Sequence, residues 1–465
     1  MNGKRNWILI GASLTAAFGG FLFGFDTAVI SGTLSFVQQQ FHLTTLEEGW
    51  YVSSALVGCI AGVAIAGTLS DRFGRRKVLL LSSFLFLLST AGCTIAPALP
   101  TLIASRLVAG MAIGVASMLA PLYISEIAPA QRRGMLVALY QFAITLGILC
   151  AYFSNAWVVD LSNRLSLQSG LWKFVYVDEV WRGMFGNMLG PNIVFILLLL
   201  FIPESPRWLI AHGRADQARA IMEKIVAPGS LESEFRQISD AILDEQPSFL
   251  QLFQAGMRKP LLVGLLLPMF SQLSGINAII YYGPKILSEA GFSISDALGG
   301  QVSIGIVNVL FTVLAIQLVD RWGRKPLLLI GISGVILSLS AVGFLFALGI
   351  SHGWLLIGFI MCFIACFAFS LGPVTWIVIS EIFPTHIRGR AMALATFAVW
   401  GTNAVVGQLF PWLLEHLGSS GTFWTFAIIC LPSIPFLAKV LPETKGKTLE
   451  EVEASFHSQA PVKAL

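Results

Sequence analysis

LSDRFGRRKVLLL, residues 69–81, returns 249 positions later as LVDRWGRKPLLLI, residues 318–330. In both copies a cluster of acid and base around one glycine separates an apolar run from the next. The repetition continues in order: YISEIAPAQRRG (123–134) returns as VISEIFPTHIRG (378–389), and PES (203–205) as PET (442–444). Three matched pairs in one order, each at the end of an apolar segment, imply two structurally similar halves. Internal duplication of this kind is the usual basis for rocking about a central site near the bilayer midplane.

Composition agrees. The chain has 465 residues, 56% hydrophobic and only 12% charged, with mean hydropathy +0.79, against roughly 25% charged in soluble domains. It reads as a polytopic membrane protein. A net charge of +4 is too small to argue for nucleic acid. All six cysteines lie in apolar segments, so no disulfide framework or zinc site follows from their spacing, and Cys362 and Cys366, one turn apart, read as packing. The apolar run after Lys4 and Arg5 is too long for a signal-peptide core and is closed by no cleavage site, so it should remain as the first helix.

Windows of about 20 apolar residues give twelve spans, near 7–33, 48–69, 78–97, 100–124, 134–157, 183–202, 261–284, 301–319, 327–350, 354–379, 390–413 and 422–441. Of 29 Lys and Arg residues only four, Arg164, Lys173, Arg182 and Lys285, then fall in loops opposite the termini. Both termini should therefore be cytoplasmic. The expected organisation is a six-helix half over 1–202, a charged linker over 203–259, a second six-helix half over 260–441 and a tail over 442–465. In the linker, Ser205 should cap a short helix with Pro206 at its first position, and ADQARAIMEKIV keeps helical periodicity.

Two charges stand apart. Asp26 is the only Asp, Glu, Lys or Arg between Arg5 and Glu47, and Arg106 the only one between Lys77 and Glu126. Each lies about seven residues inside its span, hence roughly 10 Å deep at about 1.5 Å per residue, so the depths match. An isolated intramembrane carboxylate is a functional-site candidate whose partner should be named, and Arg106 is that partner. The arginine favours the ionised acid and desolvation the neutral one, so the balance can change as a cavity opens and closes. The plainer reading is a permanent structural salt bridge.

The repeated blocks carry a second set of charges: Asp71, Arg75, Glu126 and Arg133, matched by Asp320, Arg324, Glu381 and Arg388. They can pair across helix ends and latch the cytoplasmic face; the simpler alternative is that they satisfy the charge bias and cap helices.

DRFGRRK, PESPRW, the duplicated SEI-x-P-x3-RG and the terminal PETKGKTLEE resemble the sugar porter family of the major facilitator superfamily, over essentially the whole chain from Trp7 to Glu451. The pattern is most similar to bacterial proton-coupled pentose and hexose symporters. That resemblance implies an all-α membrane protein with the major facilitator fold: twelve transmembrane helices in two six-helix halves, short intracellular helices between them, in the bacterial inner membrane. It implies alternating access, with a sugar and a proton as partners, no cofactor or metal, and no obligate protein partner. The G-F-D-T block around Asp26 is similar to that of the proton symporters, which makes Asp26 the expected proton carrier and Arg106 its gating partner. One position departs: where related symporters have a glutamate seven residues after the WR of W-R-x-M-F, this chain has Met188.

Sugars present hydroxyls that want amides and an apolar ring face that wants an aromatic plane. By the same resemblance, Gln141, Gln272, Asn277 and Asn308 are the expected hydroxyl binders. Trp376 and Trp400 are the expected walls, Phe23 lines the pocket, and Tyr281 with Tyr282 forms a lid. For each polar residue the alternative is an interhelical hydrogen bond. The xylose-transporting pattern is not copied, because Ser271, Ile148 and Val399 stand where it has amides, so the site should be less polar.

Other classes fare worse. The six histidines, His42, His212, His352, His386, His416 and His457, are scattered and assemble no catalytic site, and GKT at 446–448 lacks the glycine of a phosphate loop because position 441 is Leu. A sugar sensor would carry a long signalling tail, and only about 24 residues follow the last span. A passive sugar or polyol uniporter shares every pocket residue and differs only in whether Asp26 exchanges its proton.

Overall fold

The structure is a computed structural model, and it describes residues 3–129, 132–164, 169–226, 228–243, 252–253, 257–350, 353–383, 387–445 and 451. Among these there is no strand. Among the described residues, eleven helical stretches are long and apolar enough to cross a membrane. The last, Gly389–Val440, runs 52 residues and contains both of the final two expected spans. Its backbone turns at Gly418 (φ 65, ψ 176), where a long helix is interrupted.

The chain divides into two units, Met1–Leu43 with Tyr51–Gln246, and Thr44–Trp50 with Pro247–Leu465. The first holds α1 (Gly3–Phe41), most of α2 (Thr45–Phe73), α3 (Arg75–Ile95), α4 (Leu99–Ile127) and α5 (Arg133–Arg164). After the short α6 (Leu171–Lys173), the sixth expected span is split into α7 (Val180–Gly186) and α8 (Leu189–Phe201). Part of the expected linker belongs to this unit as α9 (Pro206–Ala211), α10 (Ala215–Ile225) and α11 (Leu231–Leu243). Ser205 caps α9 as its sequence requires, its hydroxyl accepting from Trp208 N–H at 3.3 Å. Trp208, Leu209 and Ala218 form a small core under these helices.

The second unit contains α12 (Arg258–Leu273), α13 (Ile276–Glu289), α14 (Ile294–Trp322), α15 (Arg324–Ala347), α16 (Trp354–Phe369), α17 (Leu371–Ile382), α18 (Arg388–Cys430) and α19 (Ser433–Val440). Two expected spans are broken here. The seventh splits at Gly275, held in the left-handed region at φ 82, and the tenth at Ser370. Hydropathy windows average across such breaks because the flanking residues stay apolar.

Glycine decides how the first unit packs. A Cβ on Gly58 or Gly62 of α2 would fall 2.2 Å from the Leu107 carbonyl oxygen or 2.4 Å from that of Met111, both on α4. A Cβ on Gly110 or Gly114 of α4 would fall 1.8 Å from Ala55 O or 2.3 Å from Cys59 O. The two helices meet backbone to backbone through small residues four apart, as membrane helices do when dispersion must replace the hydrophobic effect. α1 and α5 repeat the device, with Gly24 against Ile144 O (2.0 Å) and Gly147 against Phe21 O (2.1 Å).

Buried polar side chains add interhelical hydrogen bonds. Asn192 on α8 donates to Phe86 O (3.3 Å) and Thr90 Oγ1 (2.8 Å) on α3, and Ser82 on α3 donates to Ala112 O (2.9 Å) on α4. Large apolar side chains such as Leu88, Phe201, Leu337 and Phe344 lie exposed, the pattern of helices whose outer solvent is lipid.

Candidate functional site

Asp26 on α1 and Arg106 on α4 are brought together. Arg106 Nη1 donates to Asp26 Oδ2 at 2.7 Å, and the two residues are 4% and 3% exposed. Phe185 of α7 lies under the guanidinium, its ring centre 5.9 Å away. Arg106 Nε is buried with no hydrogen-bond partner. Met188, in place of the expected second carboxylate, is 1% exposed. Among the described residues the arginine thus pairs with one acid and keeps an unused donor in a buried site, where an unpartnered polar group is costly.

Phe23 on α1 and Gln141 on α5 belong to the same unit and are half-buried. Ile148, where an amide was expected by comparison, is buried on α5.

The remaining candidate binders lie in the second unit. Gln272 and Asn277 flank the break at Gly275, and Asn277 Nδ2 donates to Gln272 Oε1 at 2.6 Å. An interrupted helix frees backbone and polar side chains from the regular ladder, which is how transporters commonly build midplane sites. Both amides are half-buried, as is Trp376 on α17, whereas Asn308 on α14 and Trp400 on α18 are buried. Tyr281 is 3% exposed and its hydroxyl accepts from Asn403 Nδ2 at 3.0 Å. Tyr282 donates to Gly407 O at 2.8 Å and stacks on Phe410. The two tyrosines thus pin α13 to α18. Ser271 and Val399, the other two lost amides, are buried.

The repeated charges form two clips of nearly one design. In the first unit Arg75 Nε reaches Glu126 Oε2 at 3.0 Å, Nη2 reaches Oε1 at 3.1 Å, and Nη1 reaches Asp71 at 3.0 Å. In the second, Arg324 Nε and Nη2 reach Glu381 at 3.1 and 2.8 Å. Both clips close inside their own unit, joining helix ends there. Arg133 is exposed and makes no ion pair among the described residues. The side chains of Asp320 and Arg388 lie outside what the structure describes.

The PES and PET repeats have a use that their spacing alone did not disclose. Glu204 Oε1 accepts from the N–H groups of Arg75 (2.9 Å) and Arg76 (3.1 Å), and Glu443 accepts from those of Arg324 (2.9 Å) and Lys325 (3.0 Å). Each carboxylate caps the helix that follows a glycine at φ 96 (Gly74) or φ 91 (Gly323). An acid at a helix N-terminus satisfies free N–H groups and opposes the positive end of the dipole. Burial pushes the Glu443 carboxyl up, but the N–H donors of Lys445, Arg324, Lys325 and Thr444 outweigh it and hold it below the usual carboxylate range.

A further pair was missed. Glu48, 1% exposed, takes Lys285 Nζ on both oxygens at 2.6 and 2.8 Å. Lys285, expected in a loop, is part of α13, and the Thr44–Trp50 segment that carries Glu48 groups with the second unit although it begins α2.

A family model described as Sugar (and other) transporter matches residues 12–456. The arabinose-proton symporter of Bacillus subtilis is 40% identical over 443 residues, covering 95% of this chain and 93% of the relative. The D-xylose-proton symporter of Escherichia coli K12 is 36% identical, covering 95% and 94%. Among solved structures, the proton:xylose symporter XylE of the major facilitator superfamily, bound to 6-bromo-6-deoxy-D-glucose, superposes with a TM-score of 0.82 at 35% identity. That match covers 97% of this chain and 100% of that one. A partially occluded inward-open form of the E. coli xylose transporter gives 0.81 at 34% identity, covering 95% and 99%.

Proposed function

From a chain that belongs to the sugar (and other) transporter family and has the major facilitator fold, we propose a secondary active transporter that imports a monosaccharide, pentose or hexose, together with a proton by alternating access. The observation that carries the reading is the buried contact between Asp26 and Arg106, 2.7 Å long, with no second acid on the arginine among the described residues. Relatives named as arabinose-proton and D-xylose-proton symporters supply the class of cargo.

In this reading Asp26 takes a proton when its side of the cavity is wet and Arg106 turns away. It releases the proton when the arginine returns and the ion pair re-forms on the other side. The sugar is held by Gln141, Gln272, Asn277 and Asn308 through its hydroxyls and by Phe23, Trp376 and Trp400 through its ring faces, with Tyr281 closing over it. The loss of amides at Ser271, Ile148 and Val399 gives a drier pocket and a preference shifted from that of the xylose transporters. The clips centred on Arg75 and Arg324, with Asp71, Glu126 and Glu381, keep the helix ends of each half moving as one piece. In this reading Arg133, Asp320 and Arg388 complete the repeated charge set, which we assign to the cytoplasmic side together with both termini, in a bacterial inner membrane.

Purified protein in liposomes with an imposed pH gradient tests this directly, with L-arabinose, D-xylose, D-glucose and myo-inositol as probes. The wild type should concentrate at least one sugar against its gradient, and Asp26→Asn should abolish accumulation while sugar-for-sugar exchange persists. Accumulation that survives Asp26→Asn removes the coupling role. Exchange without accumulation in the wild type makes the protein a uniporter, the outcome that Met188 in place of a glutamate would favour.

A further inference from the structure

Several buried amides keep one polar end without a partner: Asn155 Oδ1, Asn192 Oδ1, Gln301 Oε1 and Asn403 Oδ1. The first three have an evident structural task. Asn155 donates to Val29 O at 3.3 Å, Asn192 to Phe86 O at 3.3 Å and Gln301 to Ile279 O at 3.4 Å, so each ties its helix to a neighbour's main chain. Asn403 is different. Its Nδ2 meets the hydroxyl of Tyr281 at 3.0 Å, a side-chain tip and not a backbone, and the residue is 3% exposed.

Position sharpens the contrast. Asn403 follows Trp400 by three residues on α18, so both lie on one face of that helix. Tyr281 follows Asn277 by four residues on α13, directly after the Gly275 break, and shares its face. The Tyr281–Asn403 hydrogen bond therefore joins the face of α13 that carries a candidate hydroxyl binder to the face of α18 that carries a candidate aromatic wall. The second anchor, Tyr282 to Gly407 O, lies one turn further along α18 and fixes the register between the two helices. With one end of the Asn403 amide held, the other is buried and unsatisfied. Turning the amide over exchanges donor for acceptor but still leaves one end open.

We propose that Asn403 is a specificity-determining residue that offers the open end of its amide to a single hydroxyl of the sugar, with Tyr281 as the group that orients it. The proposal rests on the sugar-transport reading. A buried polar end is satisfied when the cargo brings the missing partner, and a cargo lacking that hydroxyl leaves it bare. Such a site discriminates against the deoxygenated analogue more strongly than apolar contact can. The companion tyrosine is then more than a cover: it selects which end of the amide faces the sugar.

The test is competition. Uptake of D-xylose and D-glucose into proteoliposomes is inhibited with D-glucose and with its 2-, 3-, 4- and 6-deoxy analogues, for wild type, Asn403→Leu, Asn403→Asp and Tyr281→Phe. We expect one analogue to compete about tenfold worse than the parent in the wild type, a difference of about 1.4 kcal/mol. In Asn403→Leu that one difference should vanish, parent affinity falling to the analogue's level while the other analogues keep their ranking. Tyr281→Phe should narrow the same difference and no other. Asn403→Asp keeps shape and an acceptor, and should keep discrimination at that hydroxyl even if Asn403→Leu fails to fold. An equal loss for every sugar with all ratios unchanged in Asn403→Leu, or discrimination at that hydroxyl lost in a folded Asn403→Asp, means Asn403 only ties helices and overturns the proposal. A wild type that binds none of these sugars overturns the transport reading itself, and this proposal with it.

Discussion

Asp26 and Arg106 should behave energetically as one object, and a double-mutant cycle measures this. Both side chains are about 95% or more buried, the contact is 2.7 Å, and among the described residues Arg106 pairs with no other acid. Removing one partner of such a pair leaves a bare charge in a dry site and costs about 3–5 kcal/mol. Asp26→Asn preserves shape and an acceptor, so its loss reports the charge alone and should fall near the lower limit. Arg106→Gln strands the carboxylate and should fall near the upper one. The double variant strands nothing, so it should be more stable than the sum of the singles implies, by a coupling of at least about 2 kcal/mol. Apparent melting in detergent, followed by tryptophan fluorescence from the 12 tryptophans, gives the stability arm. The transport arm uses a gradient of one pH unit, worth about 1.36 kcal/mol or tenfold accumulation for one proton per sugar. The wild type should approach that ratio, and the double variant should equilibrate sugar without concentrating it. Stabilities that add within about 0.5 kcal/mol, or a double variant that still accumulates, would refute the reasoning.

Three further outcomes follow from the packing and the caps. Gly110→Ala places a methyl 1.8 Å from the Ala55 carbonyl, and should lower stability by about 1–3 kcal/mol; an unchanged melting temperature would mean the α2–α4 crossing is looser than described. Lys285→Met leaves Glu48 buried and alone, and should cost up to about 3 kcal/mol, the low end because the lysine is 25% exposed; Glu48→Gln in the same background should recover most of it, and no recovery would deny the pairing. Glu443→Gln removes a carboxyl whose folded value lies below its ordinary 4.5, so the stability it adds is present above that value and lost as pH falls through the folded one. The gap in melting temperature between wild type and Glu443→Gln should therefore be constant above the ordinary value and shrink below it, and a gap independent of pH would remove the cap's role.

Much of the molecule was legible before its coordinates. The offset repeats announced two halves, hydropathy located the spans, and the matched depths of Asp26 and Arg106 led to a contact between residues 80 positions apart. What stayed hidden depends on local geometry that composition does not encode. The breaks at Gly275 and Ser370 lie inside apolar windows that average over them. The capping duty of Glu204 and Glu443 requires knowing that each returns to a glycine more than a hundred residues earlier. The small-residue pairs Gly58 with Gly62 and Gly110 with Gly114 did carry a signal in their spacing of four, which a search for small-x3-small patterns would have found. Asn403 carried none, because one asparagine in an apolar helix looks like any interhelical hydrogen bond until its partner is seen.

The direct meeting of main chains between α1 and α5 has a bearing on how energy passes through the first half. Two rods that touch at Gly24 and Gly147, with no side chain between them to flex, cannot slip past one another without steric collision. Asp26 and Phe23 ride on one rod and Gln141 on the other. A rigid displacement of α1 therefore carries α5 and Gln141 with it.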